Sequence, residues 1–396
     1  MDKSKKLNRF KSIEHAFFNR LGGKSSGIFK SLNCGPGSSD SKKNVQKNLE
    51  IVKNKIKAKS KKIILLNQVH SNKFHFIDIH SKPIDKFEGD ALITNKKNKH
   101  MKTKSIIDFV GNTPLVEAQH IFKKEGVTLL LKLEGNNPGG SVKDRAAYNM
   151  ISQALKRNNI KKGDTLVEAT SGNTGIALAL MAKVLGVNMV LVLPENSTIE
   201  RIKTMRAYGA EVILTPAALG IEGSRDHALD LKYKKGYFRL NQFDNTDNSK
   251  AHYKTTGPEI WRDTEGQVTH FIAAMGTTGT IMGVSDFLKQ QNKNIKIIGA
   301  QPKEGAKIPG IRKWPQEYLP AIYNATKVDQ VIEVSEEEAK AMTQRLASEE
   351  GIFAGMSSGG SVLAAIKVAE KLEKGVVVAI VCDRGDRYLS SALFEC

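Results

Sequence analysis

Asn136-Asn137-Pro138-Gly139-Gly140-Ser141-Val142-Lys143-Asp144-Arg145 is the stretch from which the fold reads outward. It is a glycine-rich turn followed at once by Ala146, Met150, Ile151 and Leu155, apolar residues at helical spacing. Lys143 therefore stands at the mouth of an amphipathic helix. Backbone N–H groups and the helix dipole there favour anions and disfavour a second positive charge. That placement gives the lysine a physical reason to lose its proton, and a neutral amine attacks an aldehyde to form a Schiff base. One lysine decides little, because most are solvated or ion-paired. Three further glycine-rich segments supply the context.

On either side of this stretch, strand-like runs alternate with helical ones. Strands are predicted over Val127–Leu133, Thr165–Glu168, Met189–Leu193, Glu211–Leu214, Thr269–Ala274, Ile295–Gly299 and Val376–Val381. Helical patterns lie between them, as in Ile176–Leu185, and Ser335-Glu336-Glu337-Glu338 reads as a capping box opening a helix to about Glu349. The alternation predicts an α/β fold, with parallel sheet covered by helices on both faces.

The second segment, Thr170-Ser171-Gly172-Asn173-Thr174-Gly175, joins a strand to a helix and lacks both the Walker lysine and the dinucleotide glycine spacing. Its hydroxyls and backbone N–H groups suit a carboxylate, although an ordinary tight turn reads the same way. The third, Gly276-Thr277-Thr278-Gly279-Thr280, offers close backbone approach and three hydroxyls, which suits one phosphate monoester. The fourth, Gly355-Met356-Ser357-Ser358-Gly359-Gly360, is expected as a loop ahead of a helix over Val362–Leu372. A serine there is either an N-cap or a partner for a ring nitrogen.

Taken in this order, residues 103–396 resemble the fold-type-II pyridoxal-phosphate enzymes, and within them the O-acetylserine sulfhydrylases (cysteine synthases) of the B type. The matching runs are Gly111–Leu115, Lys132–Pro138, Ser141–Arg145, Thr170–Gly175, Thr255–Trp261 and Gly276–Thr280. Pro309–Pro315 and Cys382–Ser390 point to the B type rather than the A type. The resemblance implies a tryptophan-synthase-β-like fold: two parallel-sheet α/β subdomains with the active site between them. It also implies pyridoxal 5'-phosphate on Lys143, which would serve as acid and base at the substrate Cα. Asn173 would hydrogen-bond the cofactor's ring hydroxyl, Gly276, Thr277, Thr278, Gly279 and Thr280 would hold its phosphate, and Ser357 its pyridine nitrogen. Thr170, Ser171, Gly172 and Thr174, with Gln242, would hold the substrate carboxylate, and Arg312 would line the entrance.

A serine beside the pyridine nitrogen leaves the ring essentially neutral and a weaker electron sink, favouring prompt expulsion of a β-leaving group over transamination. The implied reaction takes O-acetylserine through an aminoacrylate, with sulfide or thiosulfate adding to give cysteine or S-sulfocysteine, in ping-pong order. An O-phosphoserine-preferring synthase, a serine/threonine dehydratase and a cystathionine β-synthase share this logic; the Cys382–Ser390 run and Arg312 speak against the last two. A homodimer is implied as well. Cys382, at a strand end, is expected to be a small buried core residue rather than a catalytic thiol.

Composition sets the remaining bounds. The chain has 396 residues and a net charge of +20, of which residues 1–100 contribute +15. Only Arg9 and Arg20 in that stretch are arginines. A solvated lysine-rich surface therefore explains the charge better than a nucleic-acid-binding arm, which is the reading from another functional class. Cys34, Cys382 and Cys396 have no paired spacing, which fits a reducing cytoplasm, and no apolar run is long enough for a membrane span or signal peptide. A domain boundary is expected near residue 100, after the polar run Asn95–His100. Residues 1–95 resemble the beginning of the laccase-domain (polyphenol oxidase) family through Ser31–Gly35, Val45, Asn48, Leu66–His70 and Gly89–Thr94. Only the first part of that α+β fold is matched. His70 corresponds to one zinc-site histidine, and a single ligand cannot fix a catalytic zinc. No metal and no laccase-domain activity are expected, and residues 101–396 are expected to form the enzyme.

Overall fold

The computed structural model describes residues 41–55, 66–67, 74–77, 87–88, 91–94, 105–170 and 172–395. The chain divides into two units, Met1–Thr103 and Lys104–Cys396. In the first, α1 (Lys42–Lys55) precedes β1 (Leu66–Asn67), β2 (Phe74–Ile77), β3 (Phe87–Glu88) and β4 (Ala91–Thr94). β1 pairs in parallel with β3, and β2 with β4. Val45 and Asn48, three residues apart on α1, are both buried. Cys34, His70 and the polar run 95–100 lie outside the described residues.

The second unit opens with β5 (Leu115–Glu117), β6 (Val127–Leu133) and α2 (Lys143–Lys156). β7 (Thr165–Ala169), α3 (Asn173–Leu185), β8 (Asn188–Pro194), α4 (Ile199–Ala207) and β9 (Glu211–Thr215) follow, then α5 (Gly220–Lys235), α6 (Thr246–Lys254) and α7 (Thr256–Asp263). The chain continues through β10 (His270–Ala274), α8 (Gly279–Gln291), β11 (Lys296–Pro302) and β12 (Gln330–Val334), and ends with α9 (Glu336–Glu350), α10 (Met356–Ala369) and β13 (Gly375–Val381). Strands β7-β8-β9 form a parallel sheet. The other sheet has the order β12-β11-β10-β13-β6-β5, with β5 alone antiparallel to its neighbour.

Each of the seven predicted strands starts within one residue of its expected place. On β8, β10, β11 and β13 the apolar runs are continuous because both sheet faces are covered, whereas β9 is a half-exposed edge strand. On β13, Val377, Ala379 and Val381 pack toward α9 and α10, while Val378 and Ile380 pack with Phe271, Ile281 and Leu288 on the opposite side. The smaller sheet packs Leu166, Met189 and Leu191 against Met150, Ile151 and Met181. β5 and β12 are edge strands that the sequence reading did not assign: β5 has three residues, and the two polar residues of β12, Gln330 and Glu333, interrupt its short apolar pattern. The capping box forms, with Ser335 Oγ accepting from Glu338 N at 3.1 Å and a Glu338 carboxylate oxygen accepting from Ser335 N at 2.7 Å.

One segment differs from its sequence reading. Residues 356–360 are not a loop but the first turns of α10. Gly359 serves helix packing: a methyl group on it would overlap Thr343 Oγ1 and the Ala339 carbonyl of α9.

Candidate active site

The C-terminal ends of strands from both sheets, and the N-termini of α2, α3, α8 and α10, face one cleft of about 1070 Å³ including its mouth. Such junctions are where α/β proteins bind ligands. Lys143, Thr170, Gly172, Asn173, Thr174, Gln242, Gly276, Thr277, Thr280, Arg312 and Ser357 all line it. Thr278 and Gly279 belong to the same turn as Gly276 but do not line the cleft, and Ser171 lies outside the described residues.

Lys143 is the first residue of α2, anchored where Val142 N donates to the Cys382 carbonyl at 2.8 Å. Its ammonium is disfavoured chiefly by burial, opposed in part by Cys382, Asp383 and Glu134. Desolvation thus acts in the same direction as the helix N-terminus on which Lys143 sits. Behind α2 lies a buried ionic cluster. Arg145 donates to both carboxylate oxygens of Glu134 (2.7 and 2.7 Å) and of Glu259 (2.6 and 2.7 Å), and Lys132 approaches Glu259 at 2.9 Å. Burial alone would raise the Glu259 carboxyl, but Arg145 and Lys132 bring it down to about 2.

The 276–280 turn is an anion cradle. Thr278 takes φ +64°, and its buried Oγ1 has no partner among the described residues. Thr277 Oγ1 accepts from Asn248 Nδ2 at 3.1 Å, which leaves its own hydroxyl proton free to donate. Thr280 Oγ1 lies 3.3 Å from His252 Nε2, whose ring is kept neutral by burial and by Arg145, with its pKa pushed down to about 3. A Cβ at Gly276 would sit 2.5 Å from the Gly310 carbonyl oxygen, so no larger residue fits there. Across the cleft, Thr174 Oγ1 donates to Gln242 Oε1 at 2.8 Å, joining two of the residues expected at the carboxylate.

Ser357 is buried and precedes Ser358, whose hydroxyl accepts from Cys382 N at 2.9 Å. Cys382 packs in the core with Phe271 and Ile380, as its sequence reading expects, and also borders the cleft. Burial and Asp383 push the thiol up to about 12, so it stays protonated. Sequence reasoning missed Ile221, Arg225, Phe243 and Trp314. Arg225 lies 5.1 Å over the Phe243 ring, Phe243 meets Trp314 edge-on at 5.3 Å, and Arg312 lies 5.4 Å from the Trp314 ring. Trp314 sat in a run already singled out, but nothing in the sequence pattern marks Arg225 on α5.

Residues 106–383 match the model of the pyridoxal-phosphate dependent enzyme family. The chain belongs to this family. Residues 14–104 match a second model, that of the multi-copper polyphenol oxidoreductase laccases. Among similar proteins, cysteine synthase B of Pseudomonas aeruginosa is 57% identical over 291 residues, covering 74% of this chain and 97% of the relative. Cysteine synthase B of Escherichia coli is 55% identical over 285 residues, 72% of this chain and 94% of that protein. The solved cysteine synthase of Entamoeba histolytica superposes with a TM-score of 0.71 at 38% identity, covering 76% of this chain and 92% of that one. The O-acetylserine dependent cystathionine beta-synthase of Helicobacter pylori gives 0.67 at 34% identity, covering 73% and 98%.

The pyridoxal-phosphate family's cofactor fits the residues present. An amine whose charged form is disfavoured by burial, the Gly276–Thr277 backbone with the free hydroxyl proton of Thr277, and Ser357 line one cleft. Among the described residues no group of three or more His, Cys, Asp or Glu could hold a metal ion, and no helix is long and apolar enough to cross a membrane.

Proposed function

We propose that residues 101–396 convert O-acetylserine and sulfide to cysteine and acetate, using pyridoxal phosphate. The observation that carries this reading is the convergence of Lys143, the 276–280 turn and Ser357 on one cleft. When bound, the cofactor supplies an aldehyde for the lysine and a ring that withdraws electrons from the substrate Cα. Lys143 accepts the Cα proton, a role suited to a buried amine whose proton affinity is lowered by desolvation. The Thr174–Gln242 pair, with Thr170, orients the substrate carboxylate and so points the Cα–H bond at the lysine. Hydroxyls of the 276–280 turn and the α8 N-terminus would hold the phosphate. Ser357, which also lines the cleft, would meet the ring nitrogen with an uncharged hydroxyl and so favour loss of the β-substituent. Sulfide then adds at Cβ, and the proton held by Lys143 returns to Cα.

Arg225 and Arg312 at the mouth favour an anionic sulfur donor, which makes thiosulfate, giving S-sulfocysteine, the second reading. The first hundred residues are proposed to be a non-catalytic laccase-domain segment, and the enzyme to be a cytoplasmic homodimer acting on small molecules, without nucleic acid or membrane. The test is cysteine formation by the purified protein with pyridoxal phosphate, O-acetylserine and either donor. Lys143→Ala is expected to lower turnover by roughly 10²–10⁴-fold. A wild-type protein that stays colourless with the cofactor, or a Lys143→Ala variant as active as wild type, refutes the assignment.

A further inference from the structure

Asp383 and Arg387 follow β13 in the chain and belong to no part of the reaction described above. Both are buried, at 1% and 4% exposure. They meet the Asn173 side chain, the first residue of α3, from opposite ends. Asn173 Nδ2 donates to Asp383 Oδ2 at 2.6 Å, and Asn173 Oδ1 accepts from Arg387 Nη1 at 2.7 Å. Each clamp residue is itself held. Asp383 Oδ2 accepts from the Tyr388 hydroxyl at 2.6 Å, and Oδ1 from Gly355 N at 3.2 Å. Arg387 Nη2 donates to the Gly139 carbonyl at 2.9 Å, in the turn that precedes Lys143.

An asparagine amide can ordinarily flip, exchanging oxygen for nitrogen. Here a carboxylate accepts only from the NH₂ end, and a guanidinium donates only to the carbonyl end, so one orientation is selected. Both bonds are charge-assisted, and they polarise the amide. One N–H of Asn173 remains unassigned, on a residue that lines the cleft.

We propose that Asp383 and Arg387 are positioning residues that orient the Asn173 amide so that its remaining N–H donates to the ring oxygen of the bound cofactor. The inference rests on the cofactor reading of the cleft. It adds that the loop after β13, which belongs to the larger sheet, sets the hydrogen bond made by a helix of the smaller one. The clamp strengthens a donor facing the ring oxygen and thereby shifts the proton toward the neighbouring lysine-derived nitrogen. The balance between the long- and short-wavelength absorption forms of the bound cofactor therefore reports on it.

The experiment uses full-length protein carrying Asp383→Asn, Arg387→Met or Tyr388→Phe. Pyridoxal phosphate affinity, the visible spectrum of the bound cofactor and the unfolding midpoint are measured for each. Asp383→Asn and Arg387→Met remove opposite charges yet loosen the same amide. Both are expected to weaken cofactor binding about tenfold and to shift the absorption balance in the same direction, toward the short-wavelength form. Tyr388→Phe loosens Asp383 at the same oxygen that holds Asn173, so it is expected to shift the spectrum in the same direction but by less than Asp383→Asn. Shifts of opposite sign in the two charge variants would mean a through-space field rather than positioning. Wild-type spectra in both would also overturn the inference. Should Asp383→Asn fail to fold, Arg387→Met alone decides by the same spectral criterion. A wild-type protein that binds no pyridoxal phosphate would instead sink the cofactor reading itself.

Discussion

Replacing Arg145 by methionine tests the buried cluster behind the lysine. Arg145 donates five hydrogen bonds: two to Glu134, two to Glu259 and one to Thr113 Oγ1 at 3.1 Å. Methionine fills much of the space but leaves two carboxylates facing Lys132, with Asp263 3.4 Å from that lysine at the margin. One negative charge is then uncompensated among groups that are almost fully buried. Breaking such a pair costs about 3–5 kcal/mol, which for a unit of this size lowers the melting midpoint by roughly 6–10 °C. The sign of the pH dependence follows from the wild-type carboxyls. Burial raises both, but Arg145 holds Glu134 and Glu259 below the ordinary carboxylate value. Their contribution is complete above that value and is lost as pH falls toward 2. In the variant the unpaired carboxyl is raised instead, so protonation relieves it. The gap between variant and wild type is therefore expected to be widest at pH 8 and to narrow toward pH 5. Tryptophan fluorescence is a selective probe, because Trp261 and Trp314 both lie in the Lys104–Cys396 unit. Arg345→Met, which breaks an exposed helix pair with Glu349, serves as the control and is expected to move the midpoint little. A deficit under about 1 kcal/mol at pH 8, or one that stays constant on acidification, refutes the argument.

Two further outcomes follow from single positions. Burial lowers the Lys143 proton affinity, so folding works against the charged amine at every pH below its ordinary value of 10.5. Lys143→Met should thus be more stable than wild type in cofactor-free protein at pH 7, with the advantage gone as pH reaches the ordinary lysine value of 10.5; an equal or lower denaturation midpoint at pH 7 counts against it. Gly359→Ala pushes a methyl group into Thr343 and the Ala339 carbonyl, and should cost about 1–3 kcal/mol. Gly172→Ala meets nothing within 4 Å and should leave the denaturation midpoint unchanged. Similar midpoints for the two alanine variants would refute the α9–α10 packing described here.

Much of the fold was legible because its signals are local. Most of the predicted strands carry buried apolar runs, although β9 is a half-exposed edge, and each turn ahead of a helix is written in glycine, serine and threonine. The Ser335 capping box was readable for the same reason. Local pattern misled where a residue's role depends on what lies across from it. Gly359 and Gly360 looked like loop residues, yet Gly359 lets α10 lie against α9. The edge strands β5 and β12 are too short, or too interrupted by polar residues, to announce themselves.

The sequence by itself determined the order of elements, the lysine at a helix start, and the chemistry available in each glycine-rich segment, since these follow from residues close together in the chain. Only the tertiary structure decided that α2, α3, α8 and α10 aim their N-termini into one cleft. It alone gathered Lys132, Glu134, Arg145 and Glu259 into a buried cluster, and brought Asp383 and Arg387 onto Asn173. Those contacts join residues up to 214 positions apart. Burial and pairing across such distances set the proton affinity of the lysine and the orientation of the amide, and no local pattern encodes them.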